Sequence, residues 1–146
     1  MITMIEKLKV KKIKENANLP EYSLDCDIAF DVKTNETLSL LPSEQKEIHT
    51  GIAMQIPEGY IGLVRDRFGI VTRFGAHVIA GTFDSSYREE VTIMMINLGH
   101  DEICIEEGMR IAQIVLIPVN KFEITEVKVL SETPRSGQKD SMTGLK

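Results

Sequence analysis

The sequence predicts an all-β sandwich or barrel. Helical periodicity is weak, and short apolar runs recur between turn signals along most of the 146 residues. This length suits one domain with a hydrophobic core of its own. Because the chain has no tryptophan and only 5% aromatic residues, we expect that core to be aliphatic.

Composition argues against several classes of function. The net charge of −5 argues against a nucleic-acid binder that works through bulk charge. No apolar run is long enough to span a bilayer, and the first residues carry no secretory signal. Cys26 and Cys104 are isolated and fit neither a metal site nor a disulfide framework. We therefore expect a cytoplasmic protein with no membrane or nucleic-acid partner.

The first half of the chain is predicted to be strands joined by turns. The predicted strands cover residues 5–13, 27–32, 38–42, 50–56 and 60–64. Lys9, Lys11 and Lys12 would discourage edge-to-edge pairing, so the first strand is expected near a sheet edge. Pro57 and Gly59 favour a tight turn between the last two strands, which are therefore predicted to form a hairpin.

Residues 65–75 are the one predicted helix. Asp66 is expected to cap its start, and Gly75 is expected to end it. Arg65 and Arg67, beside the free backbone amides of a helix start, would make an anion site. A solvated basic turn is an equally good interpretation of the same residues.

A tight turn in residues 80–91 precedes a β-branched, apolar strand at 92–98, which we expect to be buried on both faces. Asp84 and Tyr87 would then lie at the mouth of a hairpin with one arm anchored in the core, an arrangement that suits a functional site. The alternative is a solvated turn in which Asp84 bonds backbone amides.

The remaining predicted strands cover residues 102–105, 110–117 and 121–130. Gln113 lies in an apolar run, where an unpaired buried amide costs about 1–3 kcal/mol. It is expected either to pair with nearby backbone or to await a ligand. From Ser131 the chain is polar and unpatterned, which predicts a β-domain over residues 1–130 and a mobile C-terminal arm over 131–146.

Five segments resemble, in order, the motifs of the trimeric dUTP diphosphatases (dUTPases), a jelly-roll-like all-β family. The segments are residues 28–31, 62–70, 80–88, 108–113 and 135–144. Together they span nearly the whole chain, so the resemblance is far more specific than any single motif.

The resemblance implies hydrolysis of dUTP to dUMP and pyrophosphate, which limits uracil incorporation into DNA, with Mg²⁺ holding the triphosphate. It implies that Asp84 is the general base that activates water for attack on the α-phosphorus. The backbone of Gly81, Thr82, Phe83 and Asp84 would read the uracil edge. Tyr87 would pack on the deoxyribose and exclude a 2′-hydroxyl.

The resemblance also implies which residues meet the phosphates. These are Arg67, Gly69, Gln113 and, from the arm, Arg135, while Asp31 would support the water shell of the metal ion. It further implies a homotrimer with shared active sites, in which the arm of one subunit closes over the site of another.

The second and fifth motifs are eroded. Phe68 occupies the substrate-binding position where the family has a phosphate-binding serine, and its ring can neither donate nor accept a hydrogen bond. Asp140 replaces a phenylalanine that stacks on uracil, Met142 replaces a serine, and Glu89 adds negative charge after the hairpin. Met94 stands where the related dCTP deaminases have a catalytic glutamate, so deamination is not expected.

These departures leave three interpretations open. The first is a Mg²⁺-dependent dUTP diphosphatase, of full or weakened activity. The second is a non-catalytic or altered-specificity nucleotide-binding homologue that serves a regulatory role. The third is a structural β-protein without a ligand, which the intact Asp84, Tyr87, Arg67 and Gln113 disfavour.

Overall fold

The structure is a computed structural model that describes residues 6–136. It is mostly β with one short helix, which confirms the predicted fold class. Its elements are β1 (Lys9–Lys12), β2 (Ala29–Lys33), β3 (Leu38–Leu40), β4 (Gln45–Gln55), β5 (Tyr60–Arg65), α1 (Phe68–Phe74), β6 (Ala76–Ile79), β7 (Thr82–Phe83), β8 (Glu90–Asn97), β9 (Ile103–Ile105) and β10 (Arg110–Pro118). Within the described range, no helix is long and apolar enough to cross a membrane.

Two four-stranded antiparallel sheets form the body of the protein. Their strand orders are β1-β4-β8-β6 and β2-β10-β5-β7, and β3 pairs with β9 in a small third sheet. One hydrophobic cluster draws on both large sheets and is mainly aliphatic, as predicted. Its most deeply buried members include Ile48, Ile93, Ile111 and Ile114. Each such side chain stabilises the fold by about 1.5–3 kcal/mol through burial.

The lysine-rich first strand lies at a sheet edge, as predicted, although it covers only Lys9–Lys12. Residue 5 of the predicted strand lies outside the described residues. The three lysines of β1 are exposed, so their charge opposes pairing with another sheet.

The predicted hairpin between residues 50–56 and 60–64 is wrong. The turn itself forms, with Gly59 at φ 84° and the Tyr60 amide donating to the Pro57 carbonyl at 3.2 Å. However, β4 pairs with β1 and β8, whereas β5 pairs with β10 and β7. The turn therefore carries the chain from one sheet to the other, because a local turn signal does not specify the partner of either strand.

Strand β8 is buried on one face only, so the prediction of two buried faces is wrong. Val91, Ile93 and Met95 point into the core, and the alternate residues are half-buried. On that second face Thr92 donates a hydrogen bond to Glu47 Oε1 at 2.7 Å. The period-2 alternation of a strand sorts even this apolar sequence onto two unequal faces.

The last predicted strand, residues 121–130, is also wrong. In the part of the chain that the structure describes, the strands end at Pro118. Residues 119–130 are exposed and carry unpaired apolar side chains, among them Phe122, Ile124 and Val129. Alternating apolar residues favour a strand, but this segment finds no partner strand among residues 6–136.

The helix ends as predicted but begins differently. Gly75 adopts the left-handed conformation with φ 71°, and its amide donates to the Val71 carbonyl at 2.8 Å. Asp66 does not cap the start, since no side chain caps α1. Its carboxylate instead accepts a hydrogen bond from the Val78 amide at 2.7 Å and pairs with His77 Nδ1 at 2.7 Å. Asp66 thus fixes β6, a strand that the sequence analysis missed.

A bulge in β4 depends on Glu90, the first residue of β8. Gly51 lies in the bulge at φ 71°, and its amide donates to Glu90 Oε1 at 2.8 Å. Glu90 Oε2 lies 3.0 Å from His49 Nδ1. The hydrogen bond to the Glu90 carboxylate is the main reason that the pKa of His49 is raised.

We predict that this pair makes stability depend on pH. The folded-state pKa of His49 is raised, so the pair of protonated His49 with Glu90 adds to the free energy of unfolding. This contribution is fully present below the unfolded pKa of about 6.5 and is lost as pH rises through the folded-state pKa. The side chain of His49 is 47% exposed, so screening limits the effect to below about 1 kcal/mol. Urea unfolding of the wild type and of His49→Gln should differ at about pH 5.5 and converge at about pH 8.5. The exposed His100→Gln is the control, and an equal effect there would contradict the assignment.

Candidate active site

One cleft of about 430 Å³ gathers five of the site residues predicted from the sequence. They are Asp31, Arg67, Phe68, Gly69 and Gln113. Strands β2 and β10 and the connection from β5 to α1 bring them together, since Gln113 pairs with Asp31 on one side and with Arg65 on the other. We call this the phosphate cleft, after the role that the resemblance implies.

Asp31 is the charged centre of the phosphate cleft. It is 5% exposed, and its Oδ1 accepts a hydrogen bond from Arg67 Nε at 2.8 Å. Ser23 donates to its Oδ2 at 2.7 Å, and Arg110 Nε lies 3.6 Å from the same oxygen. Removing one partner of a buried ion pair costs about 3–5 kcal/mol. Asp31 therefore holds the Arg67 guanidinium in a fixed position at the cleft.

Gln113 takes the first of its two predicted alternatives. It is half-buried, and its Nε2 donates to the Asp66 carbonyl at 2.8 Å. The backbone carbonyl of Asp66 thus holds Gln113 in the site, whereas its side chain holds β6. Sequence reasoning missed this role, because it depends on the approach of β10 to the loop before the helix.

Phe68 projects from the start of α1 into solvent and is 82% exposed. Ile28, on the same cleft, is 81% exposed. At Gly69 the space that a side chain would occupy is open. The phosphate cleft thus combines a fixed cation with an apolar lip and room for a ligand to approach backbone.

Described residues form no group of three or more His, Cys, Asp or Glu side chains placed to hold a metal ion. Both oxygens of Asp31 are engaged by side chains of this chain. Mg²⁺ bound to nucleotides commonly keeps several waters and takes its other ligands from phosphate oxygens and one or two carboxylates. The donor set therefore fits an ion carried by a triphosphate rather than one held by the protein alone.

The predicted hairpin residues form a second group, beside strand β5. Thr82 and Phe83 pair with Leu63 and Gly62 of β5. Thr82 is exposed, whereas Phe83 is buried and anchors the turn in the core. This strand pairing presents the backbone of residues 81–84 along one edge of the sheet.

Gly81 is required by the close approach of the hairpin to β5. Its carbonyl accepts a hydrogen bond from the Val64 amide at 2.8 Å. A Cβ atom at Gly81 would lie 2.8 Å from the Val64 Cβ and 3.0 Å from the Val64 carbonyl oxygen. Any larger residue would push the hairpin away from the strand.

Asp84 follows β7 and is exposed. Its carbonyl closes the turn by accepting from the Tyr87 amide at 3.1 Å. Among residues 6–136 its carboxylate has no hydrogen-bond partner, so the expected alternative, in which it bonds backbone amides, is not what the turn does. The carboxylate is left available to a ligand.

Tyr87 is held on both sides. Its ring centroid lies 5.3 Å from that of Phe83, and its hydroxyl donates to the Glu90 carbonyl at 2.9 Å. Burial raises the pKa of Tyr87, and the negative charge of Glu89 raises it further. The phenol therefore stays protonated, and the ring presents a fixed surface.

The two groups lie at different levels along β5, because the hairpin pairs with its middle and the phosphate cleft lies at its C-terminal end. Phe83 pairs with Gly62, whereas Gln113 pairs with Arg65. Gly62 and Arg65 are three residues apart, which at about 3.3 Å per residue separates them by about 10 Å along the strand. Asp84 follows Phe83 toward the start of β5, whereas Arg67 lies past its end. A single chain does not bring the general base predicted from the resemblance to the phosphate cleft.

Arg135 also lies apart from the phosphate cleft. It is exposed in a turn closed by a bond of 2.8 Å from the Ser136 amide to the Thr133 carbonyl. The rest of the fifth motif, including Asp140 and Met142, lies outside the described residues.

The fold and the site define an antiparallel, jelly-roll-like β-protein with a divided polar site that suits an anionic ligand. More narrowly, the chain belongs to the dUTPase family, because the family model described as dUTPase matches residues 15–144.

Known relatives agree with this family. The deoxyuridine 5′-triphosphate nucleotidohydrolase of Hydrogenobaculum sp. is 40% identical, over 96% of this chain and 99% of its own length. That of Clostridium novyi is 39% identical, over 95% of this chain and 99% of its own.

Solved structures agree as well. A mutant dUTPase of Staphylococcus bacteriophage 80alpha with dUpNHpp has a TM-score of 0.85 at 27% identity, covering 92% of this chain and 95% of its own. A mutant dUTPase from phage phi11 of S. aureus, described with a structural Mg(II) ion, has a TM-score of 0.81 at 27% identity, covering 85% of this chain and 98% of its own.

We predict that Gly81→Ala lowers the free energy of unfolding by about 1–3 kcal/mol, because the new Cβ clashes with Val64. Gly69→Ala is the matched control. Its Cβ enters open space within a helix, where alanine is favoured over glycine. Denaturant titration of both variants checks this, and equal stability of the two would show that the close approach at Gly81 is not required.

Proposed function

We propose that this protein hydrolyses dUTP to dUMP and pyrophosphate in an active site shared between copies of the chain. The observation that carries the proposal is the ion pair between Asp31 and Arg67 in the phosphate cleft of a dUTPase-family chain. It supplies a fixed cation beside Gln113, where a triphosphate needs its charge neutralised.

The proposed chemistry is an in-line displacement at the α-phosphorus. Asp84 accepts the proton of a water molecule whose oxygen forms the new bond to phosphorus. The bond from that phosphorus to the bridging oxygen breaks, and pyrophosphate leaves. General-base catalysis contributes about 10²–10⁴-fold to such a step, so positioning and charge stabilisation, here by Arg67 and Gln113, supply the rest of the rate enhancement.

Selectivity for deoxyuridine is proposed to reside in the hairpin. The backbone of residues 81–84 is held against β5, which makes it a rigid set of donors and acceptors for the uracil edge. The Tyr87 ring would pack on the deoxyribose. Contacts with Phe83 and Glu90 hold the Tyr87 ring in place, so we propose that it does not move aside for a 2′-hydroxyl.

Mg²⁺ is the proposed cofactor, and it would neutralise charge on the triphosphate when bound. Asp31, one of two carboxylates (with Asp27) that line the phosphate cleft, is proposed to face the water shell of the ion. Since Arg67 and Ser23 engage both carboxylate oxygens, we propose that Asp31 acts on the ion through water only and that its main task is to position Arg67.

A homotrimer with shared sites is the proposed assembly. The separation of Asp84 from the phosphate cleft supports it, because a second copy could bring its hairpin to that cleft. The exposed apolar segment 119–130 supports it too, since this segment has no strand partner in the described part of the chain. We further propose that residues 131–146 form an arm beyond the β-domain of residues 1–130, with Arg135 contacting phosphate, and that the protein is cytoplasmic.

Replacing the proposed base tests the mechanism. Asp84→Asn should lower pyrophosphate release from dUTP by roughly 10²–10⁴-fold, because the variant cannot take the proton. Its affinity for a non-hydrolysable dUTP analogue should be retained. A panel of deoxynucleoside triphosphates with Mg²⁺ gives the specificity, and the exposed Asp101→Asn is the control. Nucleotide binding by wild type without turnover of any triphosphate would instead support the non-catalytic alternative.

Mixing two inactive variants tests the shared site. Asp84→Asn and Arg67→Ala, refolded together in equal amounts, should recover about a quarter of wild-type turnover, because a quarter of randomly assembled sites combine an intact Asp84 with an intact Arg67. Asp84→Asn mixed with the double variant Asp84→Asn/Arg67→Ala is the control and should recover nothing. Absence of recovery in the first mixture would place both residues in one chain's site.

A further inference from the structure

A second cleft shares Arg67 and Gly69 with the phosphate cleft. Its volume is about 550 Å³, and its charged lining consists of Lys33, Arg67, Arg73 and Arg110. We call it the basic cleft. The dUTPase resemblance assigns no role to Lys33, Arg73 or Arg110.

Charge in the basic cleft is incompletely neutralised. Glu21 is shared, with one oxygen 2.6 Å from Lys33 Nζ and 3.0 Å from Arg110 Nη2. The hydrogen bond from Lys33 is the main reason that the pKa of Glu21 is lowered, so this carboxylate is ionised and already committed. Asp31 is committed in the same way to Arg67. Four cations thus share two carboxylates.

One of the cations, Arg73, keeps unused hydrogen-bonding capacity. Arg73 makes no ion pair within residues 6–136, and its guanidinium lies 5.3 Å from the centroid of the Phe74 ring. Arg110 Nε also lacks a hydrogen-bond partner in the described structure, but it is buried 3.6 Å from Asp31 Oδ2 and is therefore not accessible to a ligand. A guanidinium with free N–H groups over an aromatic ring is well suited to bind a phosphate in bidentate fashion.

The basic cleft also adjoins the phosphate cleft. Arg67 and Gly69 line both of them. An anion that leaves contact with Gln113 can therefore keep contact with Arg67 while it moves toward Arg73. The lining is otherwise small or apolar around Gly108, where a side chain would meet open space.

We propose that the basic cleft is a binding site for a small polyphosphate anion, and that it receives the pyrophosphate released in the phosphate cleft. The second half of this statement rests on the proposed function, whereas the first half does not. Lys33 and Arg73 would make the contacts unique to this site. Arg67 would bridge the two clefts.

Calorimetric titration of the full-length protein with inorganic pyrophosphate tests the proposal directly. The double variant Lys33→Gln/Arg73→Gln should bind pyrophosphate at least about tenfold more weakly, because each lost contact is a hydrogen bond to a charged group. Lys12→Gln/Lys121→Gln removes the same charge from exposed positions elsewhere and should bind like wild type. Gln113→Ala, which alters only the phosphate cleft, should keep pyrophosphate affinity and lose affinity for a non-hydrolysable dUTP analogue.

The outcomes separate the two proposals. Equal weakening in both double variants would show a bulk-charge effect and overturn the basic cleft, as would loss of pyrophosphate binding in Gln113→Ala. If dUTP is not hydrolysed but pyrophosphate binding depends on Lys33 and Arg73, the anion site stands and the proposed function falls. If dUTP is hydrolysed, pyrophosphate should inhibit the wild type at least about tenfold more strongly than the Lys33→Gln/Arg73→Gln variant. Equal inhibition would overturn the role in product release.

Discussion

The buried carboxylate of Asp31 is the constraint on which the site depends. Taking a carboxylate out of water is unfavourable unless cations and hydrogen-bond donors surround it. Here Arg67, Arg110 and Ser23 meet that need, and the arginines arrive from the loop before α1 and from β10. The requirement of one buried charge therefore fixes the direction of two cationic side chains. It also explains why the two clefts meet at Arg67.

Strand β5 sets the second constraint, because it carries two functional elements at different levels. The hairpin before Asp84 pairs with its middle residues, Gly62 and Leu63, and the loop to Arg67 follows its end. A rigid strand keeps those levels apart, so the proposed chemistry, which uses Asp84 and Arg67 together, would draw on more than one copy. The geometry of a single strand thus ties the proposed catalysis to the proposed assembly.

The sequence predicted features whose causes are local, and it failed where the cause is a distant partner. Gly75 ends α1 because its own backbone adopts the left-handed conformation, which the sequence alone indicates. Residues 50–56 and 60–64 looked like a hairpin, but strands elsewhere in the chain decide their pairing. The position of Asp66 before the helix predicts that it caps the helix start. Its carboxylate and carbonyl instead accept hydrogen bonds from β6 and β10. For the site, the dUTPase resemblance predicted the grouping of Arg67 with Gln113, which neither periodicity nor spacing could give.

The exposed segment 119–130 makes the single chain vulnerable before the proposed assembly forms. The exposed side chains of Phe122, Ile124 and Val129 lie in a segment without secondary structure, which makes it susceptible to proteases and prone to associate with other unfolded chains. Under the proposed assembly, association of copies would cover this surface, so by mass action the survival of each newly made molecule would rise with the concentration of the protein. A cell that makes little of the protein would lose a disproportionate share of it.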